Sequence, residues 1–534
     1  MSTSTAVQAT GAADDDIPPT QTVRRRWPIV IVVAAAAVGL FFAYLRMAWA
    51  HPINADGGSN ALQAADMFSG NVFLHGWTMS DVSFFTTELI QYGILAKILG
   101  MGAEMIHVAA AMTYTLLVLL VAALAKGRAS GWEAAVRVGV ALAIMLLPAP
   151  GIGYMTLFSS PNHTGTGVPM VITWLVLDRG RTRWLPVLIA ALLAWGEIGD
   201  PLVTFVGALP LVLVSAIRLV RAREPWTRRW RGLDAQLIAA GAGSVVLAHA
   251  FLYAVRAAGG FHAPAPPIQL AQWSELGHRA KMIAQMIGVI FGAHRPGEQL
   301  GAGAIALDLL HVFGIALVAA ALVVVVVRAI RRPENRVDEI LALAIMINIG
   351  ARFVSTLPID ILGAREIVGV LPLGAALAGR VCGPWLRARR LTPAVAVVLA
   401  VFTVALVVQS PARAAPADNQ DIAEWLDGRD LRYGVASYWN ASNITVTTNR
   451  RVTVVPVSGG DRITPYCWQS RDDWYDAAAH DARFVILDRE RPMYGDVERA
   501  TAQFGKPVES HDFGRHVVLV YDHNLLTQLP KPCS

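Results

Sequence analysis

Nine carboxylates fall in or beside the stretches that separate long apolar runs: Asp56, Asp66, Asp81, Glu88, Glu104, Glu197, Asp200, Asp360 and Glu366. The first two stand in "HPINADGGSNALQAADMFSGN" (51–71), directly after about twenty apolar residues. Glu197 and Asp200 stand in "LLAWGEIGDPLVTF" (192–205), a Gly-Pro turn between two apolar segments. A carboxylate near hydrocarbon costs roughly 2.5–3.5 kcal/mol at a helix centre and less at the rim, so it usually faces a wet cavity. Cations accompany the acids: Arg256, Arg279, Lys281, Arg295, Arg352 and Arg365. A guanidinium fork matches two phosphate oxygens. Arg365, in "IDILGAREIVGVLPLG", and Arg295, in "GAHRPGEQ", are the best placed to hold an anion; snorkelling to lipid phosphate is the competing explanation for both. His163 in "SSPNHTGTG" and His262 in "GGFHAPAPP" could join such a site, although loop histidines are more often solvated. Asp56 also has an ordinary use, capping a helix that starts near Ala61.

The elements that must position these residues are membrane helices. The chain is 54% hydrophobic and 16% charged, with mean hydropathy +0.46, whereas a soluble chain is nearer a quarter charged. Apolar segments at 27–47, 105–125, 134–155, 167–178, 184–199, 201–220, 234–255, 303–327, 338–355, 364–380 and 391–409 predict about eleven spans. Basic clusters at 23–27, 126–128, 179–183, 218–231, 328–336 and 380–390 all fall on one side if the N-terminus is cytoplasmic, as the positive-inside rule asks. The net charge of +6 therefore reads as topology and argues against nucleic acid as a partner. "AWA" at 48–50 resembles a cleavage site, but the apolar run before it is too long for a signal peptide, which favours an uncleaved first helix.

Three regions result: a disordered cytoplasmic tail (1–22), a membrane domain (23–409) with long outer loops at 48–104 and 256–302, and an extracytoplasmic α/β domain (410–534). The outer loops predict surface helices, one over 73–95 carrying Trp77, Phe84, Phe85 and Tyr92, the other over 269–293. In the external domain, "RYGVASYW", "ITVTT", "RVTVVPV", "ARFVILD" and "HVVLVYD" predict strands, and 417–428 and 495–505 predict helices. Cys467 and Cys533 are its only cysteines and suit a disulfide in an oxidising compartment. Its aromatic stretches "SYWNASN" and "YCWQSRDDWYD" suit either carbohydrate stacking or a small core.

In layout, with "NADGGSN" just past the first helix, amphipathic outer loops and a C-terminal external domain, the chain resembles the GT-C superfamily. Those are integral-membrane glycosyltransferases using polyprenyl-phosphate sugars, among them protein O-mannosyltransferases and lipid A aminoarabinose transferases. The chain lacks the adjacent Asp-Asp or Asp-Glu pair of the mannosyltransferases in that loop.

The resemblance implies displacement of a lipid phosphate at an anomeric carbon by an acceptor hydroxyl, on the outer face of the membrane. The phosphate is a good leaving group, so a base for the hydroxyl is the main requirement. Asp56 takes that role by position and Asp66 is second; Arg365 and Arg295 would hold the donor phosphate, and Asp81, Glu88, His163, Glu197, Asp200 and His262 are acceptor or cavity candidates. The implied partners are a polyprenyl-phosphate sugar, membrane lipid, and a glycan, lipid or protein acceptor; a divalent metal stays open. Forty arginines against five lysines suggest a GC-rich bacterial genome, hence a bacterial plasma membrane and an undecaprenyl or decaprenyl carrier. No P-loop, Rossmann glycine pattern, HExxH, CxxC or GxSxG occurs. A secondary transporter or flippase-like protein and a non-catalytic scaffold are the alternative readings.

Overall fold

The computed structural model describes residues 27–265, 268–357, 360–410 and 413–530. The tail 1–22 and Cys533, and with it the pairing to Cys467, lie outside the described residues; Cys382 is a buried free thiol.

Helices occupy every apolar stretch named above. Trp27–Ala48, Ala103–Lys126, Leu185–Gly199, Leu233–Ala257, Ala302–Arg331, Arg336–Val354 and Thr392–Val408 match their segments closely, and His163–Arg179 starts earlier than expected because Asn162 caps it. Three segments are broken. Pro148, Pro150 and Gly151 divide one into Gly131–Met145 and Ile152–Phe158, since proline removes a helix donor and clashes with the preceding turn. A second opens as a π turn, Thr204–Ala208, before Leu209–Arg221. The third is the 3-10 turn Ile361–Ile367 set at 55° to Val370–Ala388. Among the described residues five helices are by themselves long and apolar enough to cross a membrane, six if the bent pair counts as one span. The chain is a mostly helical, multi-pass membrane protein.

At the end carrying the short basic loops, ion pairs lace the helices. The Arg380 guanidinium bonds Asp178 (2.9 Å), Asp338 and the Leu124 carbonyl (3.0 Å), and Arg218 meets Glu339 and Arg336 meets Asp234.

At the opposite end the long loop folds into two helices, Ala55–Met67 and Glu88–Leu99. The single helix expected over 73–95 does not form. Residues 73–87 are irregular apart from the short strand Trp77–Thr78, and Trp77, Phe84 and Phe85 bury their rings with Leu74, Met79, Leu89 and Tyr92 in a compact apolar cluster. Burial in a folded loop replaced contact with the membrane surface as the use for those rings. The second loop carries the helix Leu276–Phe291 as expected.

The C-terminal region is a six-stranded mixed sheet, in the order Thr464–Pro465, Thr453–Ser458, Tyr433–Ser437, Phe484–Asp488, His516–Val520, Glu509–Phe513. Tyr433–Ser437 runs parallel to both its neighbours, and the helix Tyr438–Thr447 makes the crossover to Thr453–Ser458. "ITVTT" is helical, not extended: it ends the helix Tyr438–Thr447. Its β-branched threonines are accommodated by bonding back to carbonyls one turn earlier, Thr445 to Ala441 (3.2 Å) and Thr448 to Ile444 (3.0 Å). The helix is buried between the sheet and Ala55–Met67. A two-stranded pairing of Trp77–Thr78 with Ser470–Arg471 ties the loop 48–104 to this region.

Candidate functional site

The helix Ala55–Met67 begins where the chain leaves Trp27–Ala48. Asn54, not Asp56, is its cap, accepting from the Gly57 N–H at 2.7 Å. Asp56 in the first turn is thereby released from capping. The two glycines that follow are contact surfaces: a Cβ on Gly57 would stand 2.7 Å from the Ser160 carbonyl, and one on Gly58 2.9 Å from the Ser442 backbone. The helix therefore fits between the membrane bundle and the helix Tyr438–Thr447 of the sheet region only with glycine at both positions.

That sandwich brings groups 382 and 413 residues away onto the Asp56 carboxylate. The Tyr438 hydroxyl donates to Asp56 Oδ1, and Gln469 Nε2 donates to the same oxygen at 3.0 Å. The Gln469 amide is oriented by Asn60, whose Nδ2 donates to its Oε1 at 3.0 Å, so the amide nitrogen faces Asp56 and the Tyr438 oxygen (2.9 Å). Gln469 adopts φ +48, a strained conformation for a side-chain-bearing residue, held by these bonds. The other carboxylate oxygen, Oδ2, lies 3.5 Å from Arg365 Nη1. Asp56 keeps 23% of its side-chain surface and Arg365 54%, so the pair is open on one side. Arg365 is carried by the 3-10 turn Ile361–Ile367, whose cap Asp360 accepts from the Gly363 N–H at 3.0 Å and whose Glu366 binds Arg352.

Beside this pair is a buried acidic group. Asp200 caps the end of Leu185–Gly199 and takes His163 Nδ1 at 2.6 Å, the Thr166 hydroxyl, and the Leu202 N–H at 2.9 Å. Burial pushes the Asp200 carboxyl up, but His163 and these donors outweigh it and hold the group below the usual carboxylate range. The loop 83–87 is bolted to the same helix end through Ser83 on the Ile198 carbonyl (2.8 Å) and a reciprocal pair between Thr86 and Trp195 (both 2.7 Å). This brings Asp81 and Glu88 within electrostatic range of His163 and Asp200. Burial raises Asp81, opposed by His163 and Arg365. Burial pushes Glu88, whose carboxyl lies over Gly165, up to about 7, with the Thr87 side chain opposing only in part.

Six of the residues singled out in the sequence therefore converge: Asp56, Asp81, Glu88, His163, Asp200 and Arg365. Four do not. Asp66 is ten residues along the helix from Asp56, about 15 Å at 1.5 Å per residue, and is taken up by Arg471 (3.0 Å), Trp77 Nε1 (2.8 Å) and Asn71 (2.7 Å). Arg295 is buried against Asp308 at 2.9 Å. Glu197 is buried against Ser244 at 3.1 Å. His262 pairs its backbone with Trp77 and Met79, at the edge of the loop that leads to Asp81. Tyr438, Gln469, Asn60 and Thr166 were not singled out individually; their relation to Asp56 and Asp200 exists only in three dimensions. Among the described residues no three His, Cys, Asp or Glu side chains converge as a metal-ligand set.

The structure is thus a helical bundle with long loops at one end, a sheet domain seated on them and a carboxylate-arginine pair between. The crystal structure of ArnT from Cupriavidus metallidurans bound to undecaprenyl phosphate is similar, with TM-score 0.53 and 14% identity over 92% of this chain and 98% of that one. ArnT from the same organism in the apo state covers 95% of this chain and 99% of its own at 14% identity, with TM-score 0.45. At this identity the likeness is one of fold. No protein-family model matches the chain, and no curated protein matches it in sequence.

Proposed function

We propose that the protein is a GT-C glycosyltransferase that moves a sugar from a polyprenyl-phosphate donor to an acceptor hydroxyl at the outer face of a bacterial plasma membrane. The observation that carries this is the Asp56–Arg365 pair: a carboxylate with one oxygen fixed by Tyr438 and Gln469 and the other turned to a half-exposed guanidinium. The ArnT structure of the same fold holds undecaprenyl phosphate, which supports a lipid phosphate as the ligand here.

In this mechanism the donor phosphate displaces Asp56 from the Arg365 fork on entering. Asp56 Oδ2 is then free to accept the acceptor proton as the hydroxyl oxygen bonds to the anomeric carbon. The sugar–phosphate C–O bond breaks with its electron pair leaving on the phosphate, whose charge Arg365 stabilises. The His163–Asp200 pair, with Asp81 and Glu88, forms the polar wall. Asp66 and Arg471 fasten the external domain to the loop. The basic-loop end is cytoplasmic, with about eleven spans, so the N-terminus is inside and the sheet domain outside. Reporters fused after Lys126, Arg223 and Ser410 check that arrangement, and only the last should report an external location.

The test is Asp56→Asn in cells, with envelope glycans and glycolipids compared with the parent. Loss of one glycan species at normal protein level is the expected result. An unchanged glycan profile at normal protein level overturns the proposal.

A further inference from the structure

The external domain carries aromatic side chains that begin at Asp56 and lead away from it. Tyr438, whose hydroxyl donates to Asp56, is buried at 3% exposure. Its ring lies 5.6 Å from that of Tyr466, and Tyr466 lies 6.2 Å from Tyr494 at 89°. Trp439 follows Tyr438 in the chain, stands 39% exposed, and donates its indole N–H to the Tyr494 hydroxyl at 3.2 Å. Arg491 covers the Trp439 ring at 4.7 Å from its centroid. Three separate segments supply these residues: the start of the helix Tyr438–Thr447, the loop after Thr464–Pro465, and the turn Pro492–Tyr494. Their placement is built in, since a Cβ on Gly459 would stand 2.5 Å from the Gly495 backbone nitrogen, which fixes the turn against the neighbouring loop.

We infer that this surface is the acceptor subsite and that the acceptor is a saccharide chain, a conclusion that rests on the glycosyltransferase reading above. An ordinary core would enclose such rings, yet Trp439, next to the buried Tyr438, stands open to solvent. A lipid tail would call for an apolar floor. Here every ring carries an O–H or N–H at its edge, and a guanidinium stands at the rim. Flat faces edged with polar groups match a sugar ring, whose C–H face stacks on an aromatic while its hydroxyls bond the edges. Continuity decides the role: the first ring of the set is the one that holds the proposed base. A chain lying along Trp439 and Tyr494 would present its terminal hydroxyl to Asp56.

The experiment measures binding, not turnover, so that it stands apart from the Asp56 test. Full-length protein in nanodiscs is titrated with fluorescein-labelled linear oligosaccharides of single hexoses and pentoses. Wild type should bind at least one of these oligosaccharides with a measurable Kd. Trp439→Ala should weaken that binding about tenfold, the size of one aromatic stacking contact, and Trp439→Phe should retain most of it. Tyr494→Phe, which keeps the ring and removes the hydroxyl, gives a milder loss and stands in if Trp439→Ala lowers Tm. The inference is overturned if wild type binds none of the oligosaccharides at millimolar concentration, or if folded Trp439→Ala or its stand-in binds as wild type does. Unchanged cellular glycans in Asp56→Asn would instead count against the enzyme reading itself.

Discussion

At the basic-loop end of the bundle each acid named above is met by an arginine: Asp178 and Asp338 share Arg380, Glu339 has Arg218 and Asp234 has Arg336. At the opposite end Asp56, Asp81, Glu88 and Asp200 share one histidine, His163, and one half-exposed arginine, Arg365. Both groups lie between helices, and both could be taken for structural staples. The difference is in the balance of charge. A buried pair whose partners are all satisfied fixes helices against one another and offers nothing to a ligand. A set of acids that outnumbers its cations and is partly open to solvent can still take a ligand, which makes it the candidate site.

The comparison breaks if the two ends respond alike to substitution. Asp56→Asn should lower kcat by about 10²–10⁴, the range for loss of a general base, while Tm stays near the wild-type value. Arg380→Ala should do the reverse. It leaves Asp178 and Asp338 buried without their cation, a loss of roughly 3–5 kcal/mol, read as a fall in Tm and in yield of monodisperse protein, with turnover per folded molecule retained. Equal effects of both substitutions on Tm would remove the distinction.

Glu88 sharpens it. Burial raises this carboxyl from its ordinary 4.5 to about 7, so the folded state keeps a proton that the unfolded chain releases. Its contribution to stability is full below pH 4.5 and is lost as pH rises to about 7. Glu88→Gln mimics the protonated form. It should match wild type in Tm near pH 4.5 and exceed it above pH 7, with a stability gain of no more than about 3.5 kcal/mol at 1.4 kcal/mol per unit. A wild-type curve that does not fall across that window relative to the variant would refute the burial argument.

Much of the membrane domain was legible because helix length and basic loops are written along the chain: the apolar run before Lys126 and the one after Gly232 became the helices Ala103–Lys126 and Leu233–Ala257. What failed was local pattern in regions whose burial is tertiary. Trp77, Phe84 and Phe85 carry the spacing of an amphipathic helix but are buried by a loop, and Ile444–Thr448 has strand composition but is held helical by its neighbours. Site residues followed the same division. Asp56, Arg365, His163 and Asp200 stand out as charge beside apolar runs. Asp66 and Arg295 have the same signature and were used for fastening, since composition does not distinguish an acid that meets a guanidinium in a closed contact from one that meets it in a cleft. Tyr438 and Gln469 lie in the aromatic stretches 437–443 and 466–476, but nothing along the chain ties them to Asp56 until the sheet domain is laid on the glycines of the loop.

The smallest expected effect tests that last point. Tyr438 touches Asp56 with a single hydroxyl, while its ring packs with Trp439 and Tyr466. Tyr438→Phe keeps the ring and removes only the donor. Gln469 Nε2 still holds Oδ1 at 3.0 Å, so the carboxylate is loosened and not released. A hydrogen bond to a charged group contributes about 1.5–3 kcal/mol, and with one donor of two remaining the lower end applies, about a tenfold fall in kcat. Because the hydroxyl touches the proposed base and not the proposed donor site at Arg365, the donor KM and Tm should be unchanged. A structural role alone would lower Tm and leave kcat per folded molecule intact, and that outcome would confine the sheet domain to covering the candidate site without tuning it.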